Sequence, residues 1–186
     1  MNIRFAGFGG QGIVMAGYVL GRAGTLAGLN ALQTQSYGSE SRGGACKSDV
    51  IVSKTEILEL APSGLDVFIA MSQPALDKYL PDISDGGSLI YDSDLVTLNT
   101  SADDAGNDST YTFGISATDI AHKSFGHDVV ANVIMLGYMS ALTGVVSPEA
   151  LRQAISESVP PKTVELNLKA FDEGFKKGEM REGELK

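Results

Sequence analysis

One cysteine, Cys46, occurs among 186 residues, so the sequence can neither close an intrachain disulfide nor supply the four thiolates of a zinc or iron–sulfur site. A lone thiol of this kind reads as a small buried side chain. Trp is absent and aromatics make up only 7% of the residues. Positive charge is also scarce: 14 Lys and Arg stand against 23 Asp and Glu, a net charge of −9. Nucleic acid and anionic membrane surfaces need a basic face, so neither is an expected partner. No apolar run reaches the ~20 residues of a membrane-spanning helix. His122 and His127 are the only histidines, and no G-x-S-x-G elbow accompanies them. They read as solvated loop positions, and neither a nucleophilic triad nor a metal site is expected. The sequence opens directly on a strand with no leader-like segment, so the expected location is cytoplasmic.

What is present describes a globular α/β chain. Hydrophobic residues make up 43% and charged residues 20%, and the length fits one domain. A chain of this size buries roughly 70% of its unfolded surface. Short strands at 3–6, 31–37, 46–53, 65–70, 88–91 and 111–115 alternate with helical patterns at 13–28, after Ser72, at a short helix capped by Ser116, at 129–142, from Ser147 and at 164–175. The alternation predicts a three-layer, mainly parallel, Rossmann-like sheet with helices on both faces. Residues 1–178 read as one domain and 179–186 as a charged tail that frays from Lys176 onward. Gly86-Gly87 reads as a turn and 99–110 as an exposed polar loop. The 129–142 helix is apolar on almost every side, which predicts burial in its own domain or against a partner.

The first strand runs into Gly7-Phe8-Gly9-Gly10-Gln11-Gly12, and a helix follows. Bare backbone at the carboxyl end of a strand, beside a helix amino terminus, favours an anionic ligand or a close-packed partner chain. The spacing also fits G-x-G-x-x-G. A dinucleotide site, however, should carry an acid on the ribose at the end of the second strand, and that strand ends Gln35-Ser36-Tyr37. A P-loop is excluded by the missing lysine. A second loop, Tyr37-Gly38-Ser39-Glu40-Ser41-Arg42-Gly43-Gly44, is expected at the same sheet edge. There Arg42 could grip a carboxylate or phosphate with Glu40 holding it, or the two could simply pair with each other or with a neighbouring chain.

The two loops, the helix with Ala16-Gly17 and Leu20-Gly21, Asn132-Val133-Ile134-Met135-Leu136-Gly137, Ser147-Pro148-Glu149 and the closing Lys162, Asn167, Ala170-Phe171 and Gly174 together resemble the gamma subunit of 2-oxoacid:ferredoxin oxidoreductases. The resemblance covers nearly the whole chain, and a short separate chain with Tyr37-Gly38-x-Glu40-x-Arg42-Gly43-Gly44 is most similar to the 2-oxoglutarate type. It implies an accessory subunit, inactive alone, in a heterotetrameric complex with alpha and beta subunits, where present a delta ferredoxin-like subunit, and ferredoxin. Such a complex oxidatively decarboxylates a 2-oxoacid to an acyl-coenzyme A and reduces ferredoxin. Thiamine diphosphate, Mg and an iron–sulfur cluster are implied for the other subunits, with coenzyme A as substrate and no cofactor held by this chain alone. The resemblance carries over no catalytic residue. The candidate binding residues are Gly9, Gly10, Gln11, Gly12, Tyr37, Gly38, Glu40, Arg42, Gly43 and Gly44. Two alternatives stand beside it: a purely structural assembly module, and a dinucleotide-dependent oxidoreductase.

Overall fold

The computed structural model describes residues 1–36, 45–98 and 110–184. Six strands form one sheet: β1 (Asn2–Phe8), β2 (Asn30–Ser36), β3 (Ala45–Ser53), β4 (Leu65–Ala70), β5 (Ile83–Asp92) and β6 (Tyr111–Ile115), in the order β2-β3-β1-β4-β5-β6. β1, β4, β5 and β6 pair in parallel, and β3 is antiparallel to both β1 and β2. The sheet is therefore mainly parallel, with one reversed strand inserted near an edge. β4 is buried at every position but Asp66, as a strand covered on both faces requires.

Side-chain alternation sorts the strands into two faces. Ile3, Phe5, Val50, Val52, Val67, Ile69 and Ile90 form one buried cluster with Ile13, Ala16, Val19, Leu20 and Ala23 of α1 (Ile13–Leu26) and with the helices that follow β6. Ala6, Phe68, Ala70 and Leu89 meet the short α2 (Gln73–Tyr79) through Ala75, Leu76 and Tyr79. The α2 side also holds a buried ion cluster. Arg4 donates to both carboxylate oxygens of Asp49 (2.5 and 3.0 Å) and to Asp82, and its guanidinium lies 4.9 Å from the Tyr79 ring centroid. A buried guanidinium is tolerated only when its donors are met in this way.

Ser72 caps α2, accepting from the Ala75 N–H with Pro74 in the first turn. Beyond β6 come the single-turn α3 (Ala117–Ile120), a π-type turn at Ala121–Phe125, and α4 (Ala131–Thr143), which a 3-10 turn at Asp128–Val130 introduces. Ser116, expected to cap α3, makes no such bond, and its hydroxyl pairs with Ser93 instead. α5 (Pro148–Ser158) starts as its sequence predicts, with Ser147 Oγ accepting from the Ala150 N–H.

α6 (Val164–Glu184) closes the chain. The charged stretch after Lys176, expected to fray, instead continues this helix to Glu184. Its glycines let it lie backbone to backbone on α4: a Cβ on Gly174 would fall on the Ile134 carbonyl, and one on Gly137 would stand 2.9 Å from the Phe175 nitrogen. The all-apolar α4 is therefore buried by the chain's own α6 and sheet, which removes the observation behind the purely structural module. Gly86-Gly87, expected as a turn, lies inside β5, where the register against β4 jumps from Leu65↔Ile83 to Val67↔Ser88. No helix among the described residues is long and apolar enough to cross a membrane.

Candidate functional site

From β1 the chain passes through α1 to β2 on one side of the sheet, while β4, α2 and β5 lead away on the other. The gap between the carboxyl ends of β1 and β4 is thus a topological switch point, where open α/β sheets form their ligand crevice. A cavity of about 400 Å³ opens there, lined by Gly10, Gln11, Met71, Leu95, Thr118, Asp128, Val129 and Ala131.

The glycine turn forms one wall. Gln11 N–H closes the turn on Phe8 O at 3.3 Å, and the turn needs positive φ at Gly10 (+96°) and Gly12 (+74°), which glycine adopts without strain. Gly12 is the residue before α1, and its carbonyl accepts the first intrahelical bond, from Ala16 N–H at 3.0 Å. The first-turn amides of α1 have no partner within the helix and give this end its positive character. Gly9 and Gly10 are exposed, and a Cβ on either would meet nothing within 4 Å. Here the backbone is open to a ligand or a partner chain.

Gln11 does something different from the backbone donation expected of it. Its side-chain oxygen accepts from Phe8 N–H at 2.6 Å and its amide donates to Met71 O at 2.8 Å. The side chain thus clips the turn to the end of β4 with both its oxygen and its amide nitrogen engaged. Asn132, on α4, clamps the turn from below: its amide donates to Gly12 O at 3.1 Å, and a Cβ on Gly12 would stand 2.9 Å from its Cγ. Asn132 appeared among the family-like motifs without a role. A polar residue 4% exposed in an otherwise apolar helix was the available signal.

The far wall depends on Asp92, which is fully buried at the end of β5. It accepts from the Thr118 hydroxyl (2.6 Å), from Thr118 N–H (3.1 Å) and from Asp94 N–H (3.2 Å). Burial pushes its carboxyl pKa up, against the pull of these donors. The Thr118 hydroxyl donates to Asp92. Among the described residues that line the crevice, Asp128 is the one carboxylate, and no histidine or thiol accompanies it. No nucleophile–base pair stands there. Cys46 is buried on β3 and its thiol is pushed up by burial; His122 and His127 are exposed.

Tyr37, Gly38, Glu40, Arg42, Gly43 and Gly44 lie outside the described residues. The positions where their loop attaches are described. β3 begins at Ala45, opposite Phe8 in the ladder, and β2 ends at Ser36, opposite Lys47. Both attachment points stand at the carboxyl edge of β1, on the side away from β4, as the strand directions had predicted.

Residues 2–177 match the family of pyruvate ferredoxin/flavodoxin oxidoreductases. The chain is similar to the 2-oxoglutarate synthase subunit KorC of Methanothermobacter marburgensis, 46% identical over 174 residues and covering 93% of this chain and 94% of that one. Its fold matches the keto/oxoacid ferredoxin oxidoreductase gamma subunit of Geobacter sulfurreducens at 44% identity, with a TM-score of 0.81 and coverage of 95% and 97%. It also matches, at 25% identity with a TM-score of 0.85, 31% of a chain of the Magnetococcus marinus 2-oxoglutarate:ferredoxin oxidoreductase, whose structure holds 2-oxoglutarate, coenzyme A and succinyl-CoA. The match in sequence and fold along nearly the whole chain does not favour the dinucleotide alternative: the chain belongs to the pyruvate ferredoxin/flavodoxin oxidoreductase family, among its gamma-type subunits.

Proposed function

We propose that the chain is the gamma subunit of a 2-oxoglutarate:ferredoxin oxidoreductase. In this complex, alpha and beta subunits carry thiamine diphosphate, Mg and an iron–sulfur cluster, and ferredoxin takes the electrons. The observation that carries the substrate is the 46% identity to a 2-oxoglutarate synthase subunit over almost the whole of both chains. The crevice chemistry supports an accessory role, since its described lining offers shape, open backbone and one carboxylate but no histidine, thiol or nucleophile–base pair. Coenzyme A is the ligand we assign to this edge. Its phosphates would meet the exposed backbone at Gly9 and Gly10 and the half-buried Gly12 beside them, together with the Arg42 loop. Gln11 serves this site only by shaping the turn.

The test is reconstitution. The complex assembled with and without this chain is assayed for 2-oxoglutarate-dependent, coenzyme A-dependent reduction of ferredoxin or a dye. Omitting the chain should abolish the coenzyme A-dependent rate. A preparation that works equally well without it refutes the proposal, and a clear preference for pyruvate or a branched 2-oxoacid refutes the substrate.

A further inference from the structure

We infer that the β4 side of the crevice is a protein-docking socket, which takes an aliphatic side chain followed by a Lys or Arg from another subunit of the complex. The inference rests on the assembly role proposed above and adds where and how contact is made. The glycine turn has two sides. Toward β3 lie the attachment points of the 37–44 loop; toward β4 lies the cavity of about 400 Å³.

On the β4 side the rim is apolar and uncovered. Val129 is 68% exposed and Leu95 40%, and both line the cavity above the buried Met71. Exposed apolar side chains gathered around a concavity mark an interaction site rather than ordinary surface. Among the described residues the charge at this rim has one sign. Asp128 lines the cavity and is exposed, and Asp94 stands beside Leu95 with its carboxylate on the Asp119 N–H at 2.7 Å. The nearby cation, Lys123, is already paired with Asp119 at 2.8 Å. A polyphosphate placed on this side would face carboxylates, whereas a cationic side chain would find its complement there. The apolar floor and rim would receive the aliphatic neighbour.

Val129→Glu and Asp128→Lys test the socket in the assembled complex, with equilibrium binding of the chain to its partner subunits measured at several salt concentrations. Both side chains are exposed, so the variants' melting temperatures should match the unchanged chain. Each variant should weaken association at least tenfold. The unchanged chain's affinity should fall with added salt, and that of Asp128→Lys should not. Variants that assemble with unchanged affinity and salt response overturn the socket while leaving the gamma-subunit role standing. A chain that binds no partner at all overturns both. Saturable coenzyme A binding to the isolated chain that Val129→Glu abolishes overturns the socket too, by assigning the cavity to the small molecule.

Discussion

Replacing Gln11 by Ala separates a structural clip from a ligand contact. The amide bridges two backbone groups that differ in exposure. Phe8 N–H is near solvent, with Phe8 38% exposed, so water replaces its lost partner at little cost. Met71 O is different, because Met71 is 1% exposed and its carbonyl loses the Gln11 donor. An unsatisfied buried acceptor costs about 1–3 kcal/mol, so the expected loss is about 2 kcal/mol. For a chain of this size that lowers the melting temperature by about 4–8 °C. Urea unfolding should show a lower midpoint with an unchanged slope. Gln11→Glu keeps the acceptor for Phe8 N–H but sets a carboxylate against the Met71 carbonyl. It should be less stable than Gln11→Ala at neutral pH and recover in acid, where its carboxyl is protonated and can donate. A Gln11→Ala protein of unchanged stability, in a complex that has lost its coenzyme A dependence, would show that the side chain reads the ligand and would refute this reasoning.

Three further perturbations address the frame around the site. Gly174→Ala drives a methyl onto the Ile134 carbonyl between two long helices; with backbone on both sides it should cost about 3 kcal/mol, read by urea denaturation. Ser147→Ala removes the cap on Ala150 N–H and should cost about 1 kcal/mol, measured in the same way. Asp92→Asn changes the pH response. The folded pKa of Asp92 is raised above its unfolded value, so the unfolded chain ionises first. This residue therefore subtracts stability progressively as pH rises from about 4 through the raised folded pKa, after which the penalty is constant. Melting temperatures followed from pH 4 to 8 should fall less steeply, or rise more, in the Asn variant. Parallel curves would place the pH dependence elsewhere.

The α/β alternation was legible because the strands are short apolar runs and the helices carry clear caps, as at Ser72 and Ser147. The reversal of β3 had a signal that went unread. Only 37–44 separates β2 from β3, and a parallel crossover needs a dozen or more residues, so an antiparallel hairpin was the only short connection. The β5 irregularity had a misleading signal, since Gly86-Gly87 is equally good chemistry for a turn and for a bulge. In the last helix, the charges that suggested fraying belong to an amphipathic face whose other side lies on α4. At the site, the glycine turn was visible as a local pattern. The roles of Gln11 and Asn132 were not, because the bonds that fix them, to Met71 and Gly12, span 60 and 120 residues. A long-range bond leaves no mark at its own position beyond the polarity of the side chain.

The crevice electrostatics decide how the two proposed occupants share one edge. The amino terminus of α1 offers roughly half a positive charge, shared among its first amides. Asp128 sets a full negative charge on the cavity lining, on the β4 side of the turn. At about 4 Å a unit pair interacts by ~1 kcal/mol in water and by ~4 kcal/mol at an effective dielectric near 20. A doubly charged pyrophosphate drawn into the cavity would gain from half a charge and lose against a whole one. Moved to the β3 side, it keeps the helix terminus and the open backbone of Gly9 and Gly10, leaves Asp128 behind, and approaches the strand ends that carry the Arg42 loop. The cavity is then left to a group that is neutral or positive, which coenzyme A's phosphates are not and a basic partner segment is. On the two proposals together, the glycine turn divides the edge: small-molecule anion on one side, protein on the other.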